Sequence, residues 1–350
     1  MIYKLERIIV NKTIVGNNQR LYGMSSLRHR PYFNMLSSEQ KRVYNCVLLG
    51  LERCLPAIEI PYQDERTLEK LITYVRLDNP LLFYLESIKV KTSVFSNKQT
   101  IEPKYSCSNS RINETITALL EKSQMLISDY KGGSVNNVEM KIHDYFCKNV
   151  RYDLNEPTAT ECVGPILYNN GVCEGVSKAA KLLFDLCNIQ STVIIGKALV
   201  GTGKAREESH SWNVVNLNSR NYHLDITYDL SLSCFGTIRY DYFNLSDAEI
   251  AKDHAISISP PILCPSEYNF YNKQKQYFNS MQECLHFIKC SMRAGKSDII
   301  FKIAEGVMKG NEFGLLQKQI VQIMDELRLF GRRYQILYNE KQLVFHVHEI

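Results

Sequence analysis

The chain has 350 residues, 45% hydrophobic and 23% charged, with a formal net charge of +5. This composition excludes a disordered or collagen-like chain and leaves room for about two to three domains. Like charges form no long run, and Glu207 and Glu208 balance Lys204 and Arg206, so no nucleic-acid surface is expected. The 11 cysteines are odd in number, irregularly spaced and without a C-x-x-C pair, so reduced thiols are expected rather than a disulfide framework. The opening MIYKLERIIVNK lacks the apolar run of a leader. No stretch reaches the roughly 18 apolar residues of a spanning helix. A soluble, cytoplasmic protein with no membrane partner is the expectation, with leaderless secretion left open.

MIYKLERIIV reads as a short strand and residues 11–31 as a polar loop. Ser37-Ser38-Glu39-Gln40 has the pattern of a capping box, and Val43, Cys46, Val47, Leu49, Gly50 and Leu51 behind it follow a helical period. Pro56 and Pro61 end that helix. A second helix is expected from Glu65 to Arg76, then a turn at Asp78-Asn79-Pro80 and a strand over 82–95. Residues 96–110 read as a linker. Two helices follow, one on Ile112, Ile116, Leu119, Leu120, Leu126 and Ile127, the next on Val135, Val138, Ile142, Tyr145 and Phe146. After an irregular stretch a helix restarts behind Asn169-Asn170-Gly171, with Val176, Ala179, Ala180, Leu183 and Leu186 as its apolar face. Strands are expected over 191–200, 210–217 and 221–229, the last two joined at Asn218-Ser219. From about 280 a helix, a strand at 298–305, a helix and a final hairpin form a small appendage. There are no internal repeats. The expected domains are a mainly helical region at 1–110, a core at 111–265 and a small α+β domain at 266–350.

Cysteine chemistry needs a thiolate, a base and a group that orients the base. Cys173 follows turn residues and opens an amphipathic run, so it belongs in the first turn of a helix. Free backbone N–H groups and the macrodipole favour negative charge there and suit a developing oxyanion. A turn at Asn218-Ser219 sets Trp212 opposite Asp225. His210 and Asp225 are then diagonal neighbours on one face, within side-chain reach. A one-residue slip would put them on opposite faces. A helix-borne Cys followed by a His and an acid matches a Cys–His–Asn/Asp layout.

The stretches NNGVCEGVSKAAKLLFDLCNI and HSWNVVNLNSRNYHLDITYD resemble the core of the bacterial transglutaminase-like superfamily. The shared signature is G-V-C-x-G, then H-x-W-N-x-V, then Y-H-x-D-x-T-x-D. HDYFCKNVRYD and YFNLSDAEIAKDH are similar to family flanks, and the resemblance covers about 135–255. The lead-in at 35–86, with LSSEQKRVY and DNPLLFYL, is similar to regions that precede such cores. The resemblance implies an α+β fold: a papain-like, transglutaminase-like core with an antiparallel sheet packed on the nucleophile helix, a helical N-terminal region and a small α+β C-terminal appendage. By position it implies Cys173 as nucleophile, His210 as base and Asp225 as orienting acid, with Trp212 and Asn213 beside the histidine. Val176 and Tyr228 stand where the family often has aromatic and Trp residues. The motif does not fix the second oxyanion donor; Tyr152 and Tyr168 are the candidates and, with Trp212, the candidate substrate-binding residues. The implied reaction forms a Cys thioester on a protein or peptide substrate, without cofactor or metal. An amine then gives transglutamination, and water gives deamidation or proteolysis. A non-catalytic interaction module is the alternative, and an effector or toxin a third reading.

Other residues read more simply. Cys46, Cys147, Cys187 and Cys290 suit small buried hydrophobes. His223 reads as a packing or solvent-facing group, with a supporting group or an alternative base as the other readings, Asp229 as a backbone partner, and Trp212 also as packing beside the site. Cys284, His286 and Cys290 give only a partial zinc set on one helix. His346 and His348 alternate on the last strand with Glu349 as their acidic neighbour and read as surface. Gly201-Thr202-Gly203-Lys204 lacks phosphate-loop spacing and reads as a mobile loop near the site. Oligomeric state is left open.

Overall fold

The computed structural model describes residues 29–93, 96–130, 133–200, 206–265, 268, 270–307, 312–329 and 331–350. The expected strand at 1–10, residues 11–28 of the expected loop at 11–31 and the segment Gly201-Thr202-Gly203-Lys204 lie outside the described residues. The fold is mixed α+β, with helices and largely antiparallel sheets. Among the described residues no helix is long and apolar enough to cross a membrane. The chain divides into two compact units, Met1–Lys131 with Lys181–Thr192, and Gly132–Ala180 with Val193–Ile350.

In the first unit, α1 (Ser38–Glu52) opens on the expected capping box: Ser37 accepts from the Gln40 N–H, and Gln40 from the Ser37 N–H. Asp64 caps α2 (Glu65–Asp78). The supposed linker at 96–110 is instead largely a strand. β3 (Lys98–Tyr105) is the central member of a three-stranded sheet, between β1 (Ile58–Pro61) and β2 (Leu85–Thr92). Its sequence conceals this because only Gln99 and Ile101 are buried. Its charges pair across strands, Lys91 with Glu102, Lys98 with Glu59 and Lys104 with Glu86, in place of apolar alternation. The same unit holds α3 (Asn109–Ile127).

The second unit contains α4 (Val135–Asn149), the short parallel pair β4 (Arg151–Tyr152) and β5 (Asn170–Gly171), and the start of α5 (Cys173–Leu186). A five-stranded sheet runs in the order β10-β6-β7-β8-β9, with β6 Ser191–Val200, β7 Arg206–Leu217, β8 Arg220–Leu224, β9 Phe243–Leu245 and β10 His254–Ile258. Val214 pairs with His223 and Leu217 with Arg220, which is the register expected from a turn at Asn218-Ser219. The third strand ends sooner than its β-branched residues imply: 226–232 is a helix, α6 (Ile226–Leu232), and Asp225 is its N-cap. The last segment forms a four-stranded sheet, β11-β12-β14-β13, from Tyr277–Phe278, Asp298–Ile303, Val344–Glu349 and Tyr334–Asn339. Residues of α7 (Met281–Arg293) and α8 (Glu312–Glu326) share its core with Phe301, Phe345 and Val347.

Every residue of α5 from Gly175 to Asp185 is buried, the polar stripe as well as the apolar one. Lys178 is held by Glu161 and Glu174, and Lys181 by Asp185. Gly175 explains the glycine of the C-x-G motif: a Cβ there would lie 2.0 Å from the Ala159 carbonyl oxygen. Gly175→Ala must therefore displace the helix start or the 159–161 segment. The expected loss is about 1–3 kcal/mol, the usual cost of overpacking, read as a lower urea midpoint; an unchanged midpoint would contradict this packing.

Candidate active site

Three short-range devices aim Cys173. Asn169 takes the left-handed conformation (φ 54°, ψ 35°), which Asn tolerates, and turns the chain before the helix. β5 pairs with β4 so that Tyr152 lies opposite Gly171, two residues before Cys173. Val172 donates to the Ala159 carbonyl at 2.9 Å and accepts from Val176. Cys173 is thus the first residue of α5, where N–H groups have no partner within the helix. It is partly exposed.

His210 lies within β7 rather than at its start, because the polar residues from Arg206 also pair into the sheet. Asn213, three residues on, donates its side-chain N–H to the Ser177 carbonyl at 3.0 Å and so ties this strand to the first turns of α5. The His210 side chain lies beside Cys173, whose thiol helps hold a proton on the ring. Its Nε2 is 2.5 Å from Asp225 Oδ2.

Asp225 is fully buried, yet both of its oxygens are partnered. Oδ1 accepts from the Thr227 hydroxyl at 2.8 Å and the Tyr228 N–H at 3.1 Å. Oδ2 meets His210 and also His254 Nε2, at 3.0 Å. His254 continues to Asp253 at 2.6 Å, and Asp253 accepts from the Tyr242 hydroxyl. Sequence reading gave His254 no role, although the flank YFNLSDAEIAKDH ends on it. Burial lowers the His210 pKa, but the Asp225 charge and hydrogen bond, with Cys173, outweigh it and raise it to about 10. Burial opposes ionisation of Asp225, but the two imidazoles hold it well below the usual carboxylate range.

Tyr152 is 45% exposed and lies beside Cys173, whose thiol and backbone both act on its hydroxyl. Burial and the neighbouring Cys173 push this phenol up to about 12, so it stays a donor at neutral pH. Tyr168 is exposed, and among the described residues no hydrogen bond or ring contact joins it to Cys173, His210 or Asp225. Trp212 is buried in the core with Ile194, Val214 and Tyr242, and its Nε1 donates to His223 Nδ1 at 3.0 Å. It supports His210 from within and offers no face to a substrate, which corrects its expected place as a substrate-binding residue. Tyr228 keeps an aromatic edge against the His210 ring, at 5.0 Å between centroids. His223 is a buried supporting group, its Nε2 3.0 Å from Asp247. Asp229 accepts from the Tyr242 N–H, as a backbone partner should, and also meets His143 at 3.1 Å.

Cys147 contacts His143 at 3.6 Å, a second Cys–His pair, but burial pushes its thiol pKa up. Cys284 is buried in the core while Cys290 is exposed beside His286, so this helix gathers no zinc set. His210, Asp225 and His254 are close enough to hold a cation, as are His223, Asp247 and Cys264. In the first group the Asp225 oxygens already have four donors. In the second, burial pushes the Cys264 thiol up to about 12.

No protein-family model and no curated protein sequence matches the chain. Among solved structures it is similar to a TGase, at 12% identity and a TM-score of 0.28 over 49% of this chain and 50% of that one. A proposed cysteine protease from Cytophaga hutchinsonii gives 12% identity and a TM-score of 0.27, over 43% of this chain and 64% of that one. A proposed protease from Parabacteroides distasonis gives 10% and 0.26, over 76% and 62%. The chain thus spans half of the first and under two-thirds of the others. Likeness at this level adds nothing to the geometry of the site itself.

The pair has a pH signature. A histidine raised on folding stabilises fully below its unfolded value, about 6.5, and less as pH climbs through the folded value. A carboxylate depressed on folding stabilises fully above its unfolded value, about 4, and less below it. The contribution of His210–Asp225 is therefore whole between about pH 4 and 6.5 and fades towards about 10. In urea denaturation, Asp225→Asn should show its largest stability deficit in that window and a smaller one in alkali. Equal deficits at both would mean that His210 does not keep its proton.

Proposed function

We propose that the protein is a transglutaminase-like cysteine acyltransferase or hydrolase with papain-like packing of its sheet on the Cys173 helix. The observation that carries this reading is one cluster: Cys173 at a helix start, His210 beside it, and the Asp225 carboxylate 2.5 Å from His210 Nε2. In the proposed reaction the Cys173 thiolate attacks a carboxamide or peptide carbonyl carbon. The Cys173 N–H, in the first turn of α5, and the neighbouring Tyr152 hydroxyl receive the oxyanion. The C–N bond breaks, and His210 gives its proton to the leaving ammonia or amine. A thioester remains. His210 then takes a proton from the incoming amine or water, which attacks the thioester and releases the thiolate. Asp225 stays ionised throughout and holds the ring.

Two measurements test this. With limiting iodoacetamide at mildly acidic pH, Cys173, at a helix start beside His210, should be alkylated ahead of exposed Cys46, whose thiol donates to the Glu59 carbonyl. Equal rates would defeat the nucleophile. With a glutamine-containing protein and a labelled amine, the chain should yield ammonia, labelled adduct or cleaved peptide. Cys173→Ala should lower the rate by at least about a thousandfold. Tyr152→Phe should lower kcat by about a hundredfold with little change in KM, as for one lost oxyanion donor. Product formation that survives Cys173→Ala would place the chemistry elsewhere.

A further inference from the structure

We propose that Asp298, His346 and His348 bind a divalent transition-metal ion of the zinc type in the C-terminal sheet, independently of the reaction at Cys173. Local sequence puts both histidines at the surface, because their acidic partner is 48 and 50 residues away in the chain. The structure corrects this. His346 is buried, and His348 is mostly so.

The strands dictate the convergence. His346 and His348 are two apart on β14 and share a face. Asp298, at the start of β12, pairs directly with His348 and is diagonal to His346. His346 Nε2 lies 2.7 Å from Asp298 Oδ1 and His348 Nδ1 lies 2.9 Å from the same oxygen. All three ligand atoms fall within 4.8 Å of one another. The two rings meet at 67° with centroids 5.8 Å apart, converging rather than stacking. Two imidazoles and one carboxylate suit Zn(II) and its neighbours, whereas Mg(II) and Ca(II) prefer all-oxygen sites.

Further side chains hold the ligands in these orientations. The Ser297 hydroxyl donates to Asp298 Oδ2 at 3.0 Å, and the Thr237 side chain lies beside this carboxylate. That leaves Oδ1 turned to the histidines. Phe235 stacks on the His348 ring at 4.0 Å and 2°, and meets His346 at its edge. Such outer partners are what fix ligand orientation in metal sites. The nearby cation, Arg239, is committed to Asp241 through two hydrogen bonds at 3.0 and 2.7 Å. The Asp298 and His348 side chains keep 26% and 15% exposure, so one side stays open for ion entry and for water as a further ligand. Phe235 and Thr237 belong to the loop that follows α6, so a bound ion would pin that loop to the C-terminal sheet.

The test uses the full-length chain, free of any affinity tag and stripped with a chelator. Calorimetric titration with Zn(II) should show a single equivalent bound, and Mg(II) none. His348→Gln and Asp298→Asn should weaken Zn(II) binding by at least about tenfold, since even outer partners of a metal site act on that scale. Substituted Co(II) should give the visible bands of a low-coordinate N/O site without a thiolate charge-transfer band. That spectrum requires no variant and separates this site from any built on Cys264 or Cys284. Absence of Zn(II) binding, an intense thiolate band, or unchanged affinity in His348→Gln with the circular dichroism of the wild type would each overturn the proposal.

Discussion

The Asp225 carboxylate sits in the interior with four hydrogen-bond donors around it, and the surrounding architecture meets at those four bonds. One comes from His210 on β7, one from His254 on β10, and two from the first turn of α6. A buried carboxylate without such partners would cost several kcal/mol and would protonate instead. Each neighbouring element must therefore end where it does. β8 stops at Leu224, α6 starts at Ile226, and β10 begins on the histidine that reaches back to Asp225.

Networks of this kind are poor evidence for net stability, because desolvation consumes most of the Coulombic gain. They do specify geometry. Removing one partner leaves a charge stranded, so alternative packings are penalised more heavily than the native one is rewarded. The same device recurs within the second unit. Arg239 and Asp241 are both buried and doubly bonded, and Tyr271 adds its hydroxyl to Asp241. Glu139, fully buried, accepts from Asn244, and burial pushes its pKa up to about 8. Lys178 is buried against Glu161 and Glu174 at the start of α5. Of these ties, the one at Lys178 fixes the start of α5 to the segment before it, and the one at Glu139 fixes α4 to β9.

Close backbone approach complements the electrostatics. Gly175 lets the Ala159 carbonyl reach the first turn of α5, and Gly196 leaves room for the Trp212 ring, which a Cβ would meet at 2.7 Å. Trp212 in turn stacks near His210 and donates to His223. The motif residues G-V-C-x-G and H-x-W-N-x-V thus act mostly as positioning parts. Asn213 anchors the strand to the helix, Gly175 admits the loop, and Trp212 backs the histidine.

Local pattern in the chain was enough to determine the helix starts at Ser37 and Cys173 and the Asn218-Ser219 hairpin with its register. It was enough also to bring His210 and Asp225 to one face, because capping, periodicity of 3.6 or 2 and turn chemistry act over a few residues. Only the tertiary structure decided the rest. β3 was hidden because cross-strand ion pairs replace apolar alternation in it. Asp225 looked like a strand residue because Ile226 and Thr227 are β-branched, and only its bonds to Thr227 and Tyr228 reveal a cap. His254 joins Asp225 across 29 residues, and Asp298 joins His346 across 48. Partners at such separations are chosen by sheet order and strand register, which no local pattern encodes.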